Sequence, residues 1–143
     1  MKVSTRGRYA LRVMIDLAEH DNGEYIPVHD VANRQSISDK YLNNILPILT
    51  KAGFLDGLRG KGGGYKLAKS PQNYTVGSIL ELVEGSIAPV ACLDAKPNTC
   101  PGIAHCRTLE MWTGLSNLIH DYLEGITLAD LCKKDPDANE FII

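Results

Sequence analysis

No stretch of this sequence approaches the roughly 18 consecutive apolar residues of a membrane-spanning helix. Its opening, MKVSTRGRYALRVM, lacks the apolar core and small-residue cleavage site of a secretory leader. The two absences together predict a cytoplasmic protein with no membrane partner. Internal repeats and low-complexity tracts are missing, so neither a repeat array nor a linker-dominated chain is expected. So are the G-x-S-x-G and H-E-x-x-H signatures and any convincing catalytic triad. The four histidines, His20, His29, His105 and His120, are scattered and read as surface or capping residues, which argues against an enzyme. What remains is an ordinary soluble composition, 44% apolar and 22% charged. A chain of 143 residues fits one domain with an appended element, long enough to bury a core.

The stretch GLRGKGGGYKL, residues 57–67, packs five glycines, one arginine and two lysines into eleven residues. A dinucleotide fingerprint requires G-x-G-x-x-G between a strand and a helix. Here Tyr65 falls where the last glycine should stand, and the segment that follows reads as a strand. The P-loop pattern fails as well, since Leu55 occupies the first glycine's place and Gly62 follows Lys61. A basic, glycine-rich hairpin tip suits a polyanion. Arg59 can enter a narrow minor groove and Lys61 can neutralise a phosphate. The bland alternative is a plain solvated turn.

The small net charge of −2 conceals an asymmetry. Residues 1–75 carry 11 Lys and Arg against 7 Asp and Glu, whereas residues 76–143 carry 4 against 10. A basic front half suggests that this half meets the polyanion.

Helical spacing and capping signals organise the chain. Ser4 and Thr5 open a helix whose apolar face is Leu11, Met14, Ile15 and Ala18, closed by Asn22-Gly23. Pro27 enters a short helix, VHDVANRQ, with Val28, Val31 and Ala32 inward. Ser36 to Asp39 starts SDKYLNNILPILTKAG, with Leu42, Ile45, Leu46 and Leu49 buried. Pro47 is expected to bend this helix or interrupt its bonding. FLDGL and YKLA form the hairpin. TVGSILELVEG is a further capped helix, and residues 86–104 look irregular. CRTLEMWTGLSNLIHDYLEG is a long amphipathic helix with a stripe of Trp112, Leu115, Ile119 and Tyr122. Thr127 caps LADLCKK, and the tail PDANEFII looks less ordered. The fold class that follows is mainly α with one small β-hairpin. It comprises a winged helix-turn-helix over residues 1–74, a linking helix and cysteine-containing loop over 75–106, and a long helix with a packing seam and a tail over 107–143. The candidate DNA-contacting side chains are Ser38, Lys40, Tyr41, Asn43 and Asn44 at the start of the third helix. Arg59 and Lys61 join them from the wing, and Arg6 and Arg8 from the first helix. Half-burial in the core is the competing role for Tyr41.

Four cysteines complete the inventory, and Cys92, Cys100 and Cys106 lie within fifteen residues. Clustered thiols in a reducing compartment point to metal or redox chemistry. No close C-x2–4-C pair is present, which disfavours zinc. Cys132, beside Leu131 on a short helix, reads as a small packed residue.

STRGRYALRVMIDLA, ISDKYLNNILPILTKAGFL and RGKGGGYKLA resemble the winged-helix regulators that include the iron–sulfur regulator IscR, the nitric-oxide sensor NsrR and the cysteine-metabolism repressor CymR. The resemblance spans almost the whole chain. It implies a homodimer, paired through the long helix that carries Trp112, Leu115, Ile119 and Tyr122, on a partly palindromic duplex DNA operator. It also implies a 2Fe-2S cluster held by Cys92, Cys100 and Cys106. The spacing here is C-x7-C-x5-C, with Leu109 where IscR-like proteins place a histidine, Arg8 where NsrR-like proteins place an acid, and Asn43 where Glu is frequent. The fourth ligand therefore stays open among His105, Glu110, Asp94 and a group from the partner's first helix. The end of the chain, TLADLCKKDPDANEFII, is more similar to the CymR branch. That branch implies a cluster-free repressor controlled by a cysteine-synthesis enzyme or by thiol oxidation.

Overall fold

Short polar side chains start most of the helices, each replacing bonds that a first turn cannot make for itself. The computed structural model describes residues 2–132. Helix α1 is Thr5–Glu19, where Ser4 accepts from the Gly7 amide at 3.2 Å. Helix α2 is Val28–Gln35, entered from Pro27. Helix α3 is Asp39–Lys51, where Ser38 accepts from the Tyr41 amide. Strands β1 (Leu55–Leu58) and β2 (Gly64–Leu67) pair antiparallel, with Leu55 opposite Leu67 and Leu58 opposite Gly64. Helix α4 is Val76–Glu84, opened by reciprocal capping between Thr75 and Ser78. Single 3-10 turns at Ala91–Leu93 and Ile103–His105 lie in the loop before α5 (Leu109–Glu124), and α6 is Leu128–Leu131. This is the mainly helical, hairpin-bearing architecture expected. The tail PDANEFII and the last two residues of LADLCKK lie outside the described residues.

One hydrophobic core joins α1, α2, α3, the hairpin root, α4 and α6. Helix α3 buries Leu42, Ile45, Leu46 and Leu49, the face its spacing predicts. In α1 the centre of the buried face is instead Ala10, Val13, Met14 and Leu17, while Leu11, Ile15 and Ala18 flank it half-buried. Pro47 lies within α3 without ending it. It has no N–H to offer the Asn43 carbonyl, and its exposed position avoids a buried clash. Leu128 of α6 is fully buried, so the chain returns to the core after α5. That return is held by Val76 N–H to the Ile126 carbonyl and Leu128 N–H to the Tyr74 carbonyl, both 2.9 Å.

Helix α5 differs from the rest, for it buries no residue completely. Trp112 and Ile119 are half-buried; Leu115 and Tyr122 are exposed. Met111, Leu115, Leu118 and Tyr122 recur at four-three-four spacing and are 55%, 39%, 69% and 70% exposed. That spacing is the seam of a two-helix packing.

Candidate functional site

Helices α2 and α3 are joined by a turn of Ser36, Ile37 and Ser38. Ser36 adopts a left-handed conformation (φ 54°) and ends α2, and buried Ile37 pins the turn to the core. The orientation of the pair is held from α1 by Asp16, which is fully buried. The Arg34 guanidinium donates to both carboxylate oxygens of Asp16, at 3.0 and 2.8 Å, and Gln35 Nε2 adds a third bond at 2.9 Å. Asp16 holds the Arg34 pKa above its ordinary value, chiefly through this hydrogen bonding. Arg12 then donates to the Gln35 side chain and carbonyl and lies over the Tyr9 ring, 5.1 Å from its centre. Tyr9 meets Tyr41 edge-on at 5.2 Å. Tyr41 is thus half-buried against α1, and Arg12 is committed within the fold.

The wing is rooted on a third extended segment that the sequence does not announce. Ile26 exchanges both backbone bonds with Tyr65, at 2.9 and 2.8 Å. Gly64 makes this approach possible. Its φ is +147°, and a Cβ there would strike the Ile26 carbonyl. At the tip, Gly60 and Gly62 have positive φ, and Gly63 N–H closes the turn on the Gly60 carbonyl at 3.0 Å. Between α3 and the wing runs a groove of about 350 Å³, whose walls include Lys51, Arg59 and Tyr65. The Tyr9–Tyr41 contact and this groove join α1, α3 and the wing into one continuous surface.

Arg6, Arg8, Lys40, Asn43, Asn44, Arg59 and Lys61 are all exposed. Their side chains make no hydrogen bond or ion pair among the described residues. Ser38 is exposed too, with its hydroxyl engaged as the α3 cap. A free cation or amide on a folded surface retains all its bonding capacity for a ligand.

The cysteine loop has a different character. Cys92 lies in a 3-10 turn and is half-buried, as is Cys100, whereas Cys106 is exposed; none is in a disulfide. Hydrogen bonding from Thr108 pulls the Cys106 thiol pKa down. Burial, aided by the Glu19 charge, pushes Cys132 up, and its thiol donates to the Leu128 carbonyl at 3.3 Å. Cys132 is therefore the packed residue anticipated. Three soft thiolate donors on one irregular loop have the chemistry for an iron–sulfur cluster. Among the described residues, however, no three His, Cys, Asp or Glu side chains converge where a metal ion could be held.

Three positioning features lie outside what periodicity reveals: the Asp16 network, the Ile26 pairing and the bond that Ser4 donates to Glu84. Asp16 alone leaves a trace, as an acid set in the apolar run VMIDLA.

Residues 3–134 match the family described as Rrf2, iron-dependent transcriptional regulator. The chain is 37% identical over 133 residues to the protein rrf2 of Nitratidesulfovibrio vulgaris, covering 93% of this chain and 88% of that protein. It is 36% identical to the HTH-type transcriptional regulator IscR of Vibrio campbellii, covering 93% and 78%. Among solved structures, CymR, the global cysteine regulator of B. subtilis, superposes with a TM-score of 0.73 at 31% identity, covering 92% of this chain and 95% of that one. IscR of T. potens gives 0.72 at 34% identity, covering 100% and 92%. A winged helix-turn-helix with its polar tips unengaged, matched along nearly its whole length by these regulators, belongs to the Rrf2 family of DNA-binding transcriptional regulators and is not an enzyme.

Proposed function

We propose that this regulator binds duplex DNA as a homodimer. The start of α3, with Ser38, Lys40, Tyr41, Asn43 and Asn44, lies in the major groove. Arg59 reaches the flanking minor groove, and Lys61, Arg6 and Arg8 lie on phosphates. The observation that carries this reading is the set of exposed cations and amides, unpaired among the described residues, along α1, α3 and the wing. Phosphate contacts release counterions, so each contributes about 0.9 to the slope of log affinity against log salt. Lys61→Ala flattens that slope by about this amount, and Arg59→Ala, which withdraws a cation from the minor groove between the phosphates, flattens it as well. Unchanged slopes in both variants would remove the wing from the interface.

The finer reading concerns the signal. Cys92, Cys100 and Cys106 would hold a 2Fe-2S cluster, which supplies one-electron redox chemistry when bound. The IscR name of several relatives supports this. A second reading, in which the loop cysteines respond as thiols, is favoured by the lowered Cys106 pKa and the absence of a converged metal group among the described residues. The likeness to CymR supports it as well. Under that reading the physiological partner is an enzyme of cysteine synthesis or an oxidant. Anaerobic purification with iron and sulfide counts separates the two. Stoichiometric iron and sulfide, lost in Cys92→Ala, supports the cluster. Colourless protein that changes DNA affinity on oxidation supports the thiols.

A further inference from the structure

Helix α1 presents an electrostatic problem. Its N-terminal end carries the positive pole of the helix dipole, yet the nearby charged residues are Lys2, Arg6 and Arg8, and its own first turn contains no acid. The compensating carboxylate comes from another helix. Glu84, the last residue of α4, accepts from Ser4 N–H at 3.0 Å and from the Ser4 hydroxyl at 2.5 Å. Ser4 is in turn the cap of α1. The contact is close, because a Cβ at Gly7 would overlap the Glu84 carboxylate. Glu84 therefore holds the first turn of α1 from outside.

Two residues further on, the chain enters the cysteine loop. The Ser86 hydroxyl donates to Asp94 at 2.5 Å and accepts from Ala88 N–H at 3.2 Å. Asp94 closes the 3-10 turn that contains Cys92. Lys2, Glu84, Ser86, Asp94 and Tyr122 border one cavity of about 460 Å³, so the segment leading into α1, the end of α4, the loop and α5 meet there.

We infer that Glu84 is a positioning residue for DNA binding, clamping Arg6 and Arg8 in place and tying that clamp through Ser86 and Asp94 to the turn that carries Cys92. The inference rests on the DNA-binding reading above and assigns its regulation to a particular joint. A displaced Cys92 turn releases Ser86, loosens the end of α4 and frees the first turn of α1. The cost appears as lost phosphate contacts.

The test measures affinity for a fluorescent random-sequence duplex of about 30 base pairs across a salt series, where the phosphate term dominates. Glu84→Ala flattens the slope by about 0.9 to 1.8, the value of one or two contacts. Glu84→Gln keeps one side-chain oxygen, and because both Ser4 bonds fall on a single oxygen of Glu84 it retains most of the wild-type slope. Ser4→Ala, a milder change, moves in the same direction as Glu84→Ala. In a chain already lacking both arginines (Arg6→Ala with Arg8→Ala), Glu84→Ala changes the slope no further. Asp94→Ala produces a smaller flattening that vanishes in the Glu84→Ala background. A merely structural role would lower the melting temperature and weaken binding at every salt concentration with the slope intact, and that result overturns the inference. Additive losses with the arginine variants overturn it too, and an unchanged slope in Asp94→Ala overturns the link to the loop. Wild-type protein with no salt-dependent duplex binding would defeat the parent reading, a different failure from normal wild-type binding with an indifferent Glu84.

Discussion

Asp16 and Arg34 are paired but unequal, and the inequality decides what each substitution does. Asp16 is wholly buried, whereas the Arg34 side chain is 33% exposed. Removing Arg34 leaves a carboxylate inside the protein with Gln35 bonded to it and the His20 ring 3.8 Å away, a loss of about 3–5 kcal/mol. Replacing Asp16 by Asn leaves a guanidinium that water can reach, so the loss is nearer about 1–3 kcal/mol. Urea unfolding of Arg34→Ala and Asp16→Asn should give that order; the reverse order would mean that the guanidinium is the harder group to leave unpaired. The thiols obey a similar logic of surroundings. Cys106 is exposed with its pKa pulled down by Thr108, so more of it is thiolate at a given pH below its ordinary value. Cys132 is pushed the other way by burial. Timed alkylation followed by mass spectrometry should modify Cys106 well before Cys132, and the gap should narrow as the pH is raised and both become thiolate. Equal rates near neutral pH would mean that these surroundings do not govern reactivity.

At the scale of elements, the hairpin depends on one backbone approach. Gly64→Ala places a methyl group against the Ile26 carbonyl at a φ that L residues rarely adopt. A loss of about 1–3 kcal/mol is expected, read by thermal melting, together with a flatter salt dependence of DNA binding as the tip loses its aim. Normal binding by a destabilised Gly64→Ala protein would separate the wing's root from its grip. The elements that sequence reveals here are those built on local rules. Ser38, Thr75 and Thr127 announce helix starts, and the repeat of Leu42, Ile45, Leu46 and Leu49 announces a buried face. Ile26 leaves no such sign, because its pairing with Tyr65 joins residues far apart in the chain. The same holds for Glu84 on Ser4, eighty positions away. In α1, Met14 was legible as buried, yet the packing centre also takes in Ala10, Val13 and Leu17, while the predicted Leu11, Ile15 and Ala18 only flank it. At the candidate site, periodicity and charge were enough to find the exposed groups. Sequence also placed the three cysteines on one irregular loop, but their failure to converge depends on the path of the loop.

For the whole molecule, the question is what covers α5. A helix with Met111, Leu115, Leu118 and Tyr122 exposed at seam spacing is unfavourable in a lone chain, since each leaves apolar surface in water. In the proposed homodimer a second copy would cover it by symmetry, because a two-fold axis at the seam would set the same stripe against itself. It also answers a need of the DNA-binding surface, for two linked recognition helices gain by effective concentration what one cannot supply alone. Leu118 separates this from a role inside the monomer. At 69% exposure its replacement by Lys should change the stability of a single chain by no more than about 0.5 kcal/mol. Across the proposed seam the same substitution would bring two ammonium groups into an apolar strip. Leu118→Lys should therefore sediment near the chain mass of 15.6 kDa while keeping its helical content, and bind a paired-site duplex about 10²–10⁴-fold more weakly than wild type. A Leu118→Lys protein that stays dimeric would place the seam elsewhere on the molecule and leave the exposed stripe of α5 without its partner.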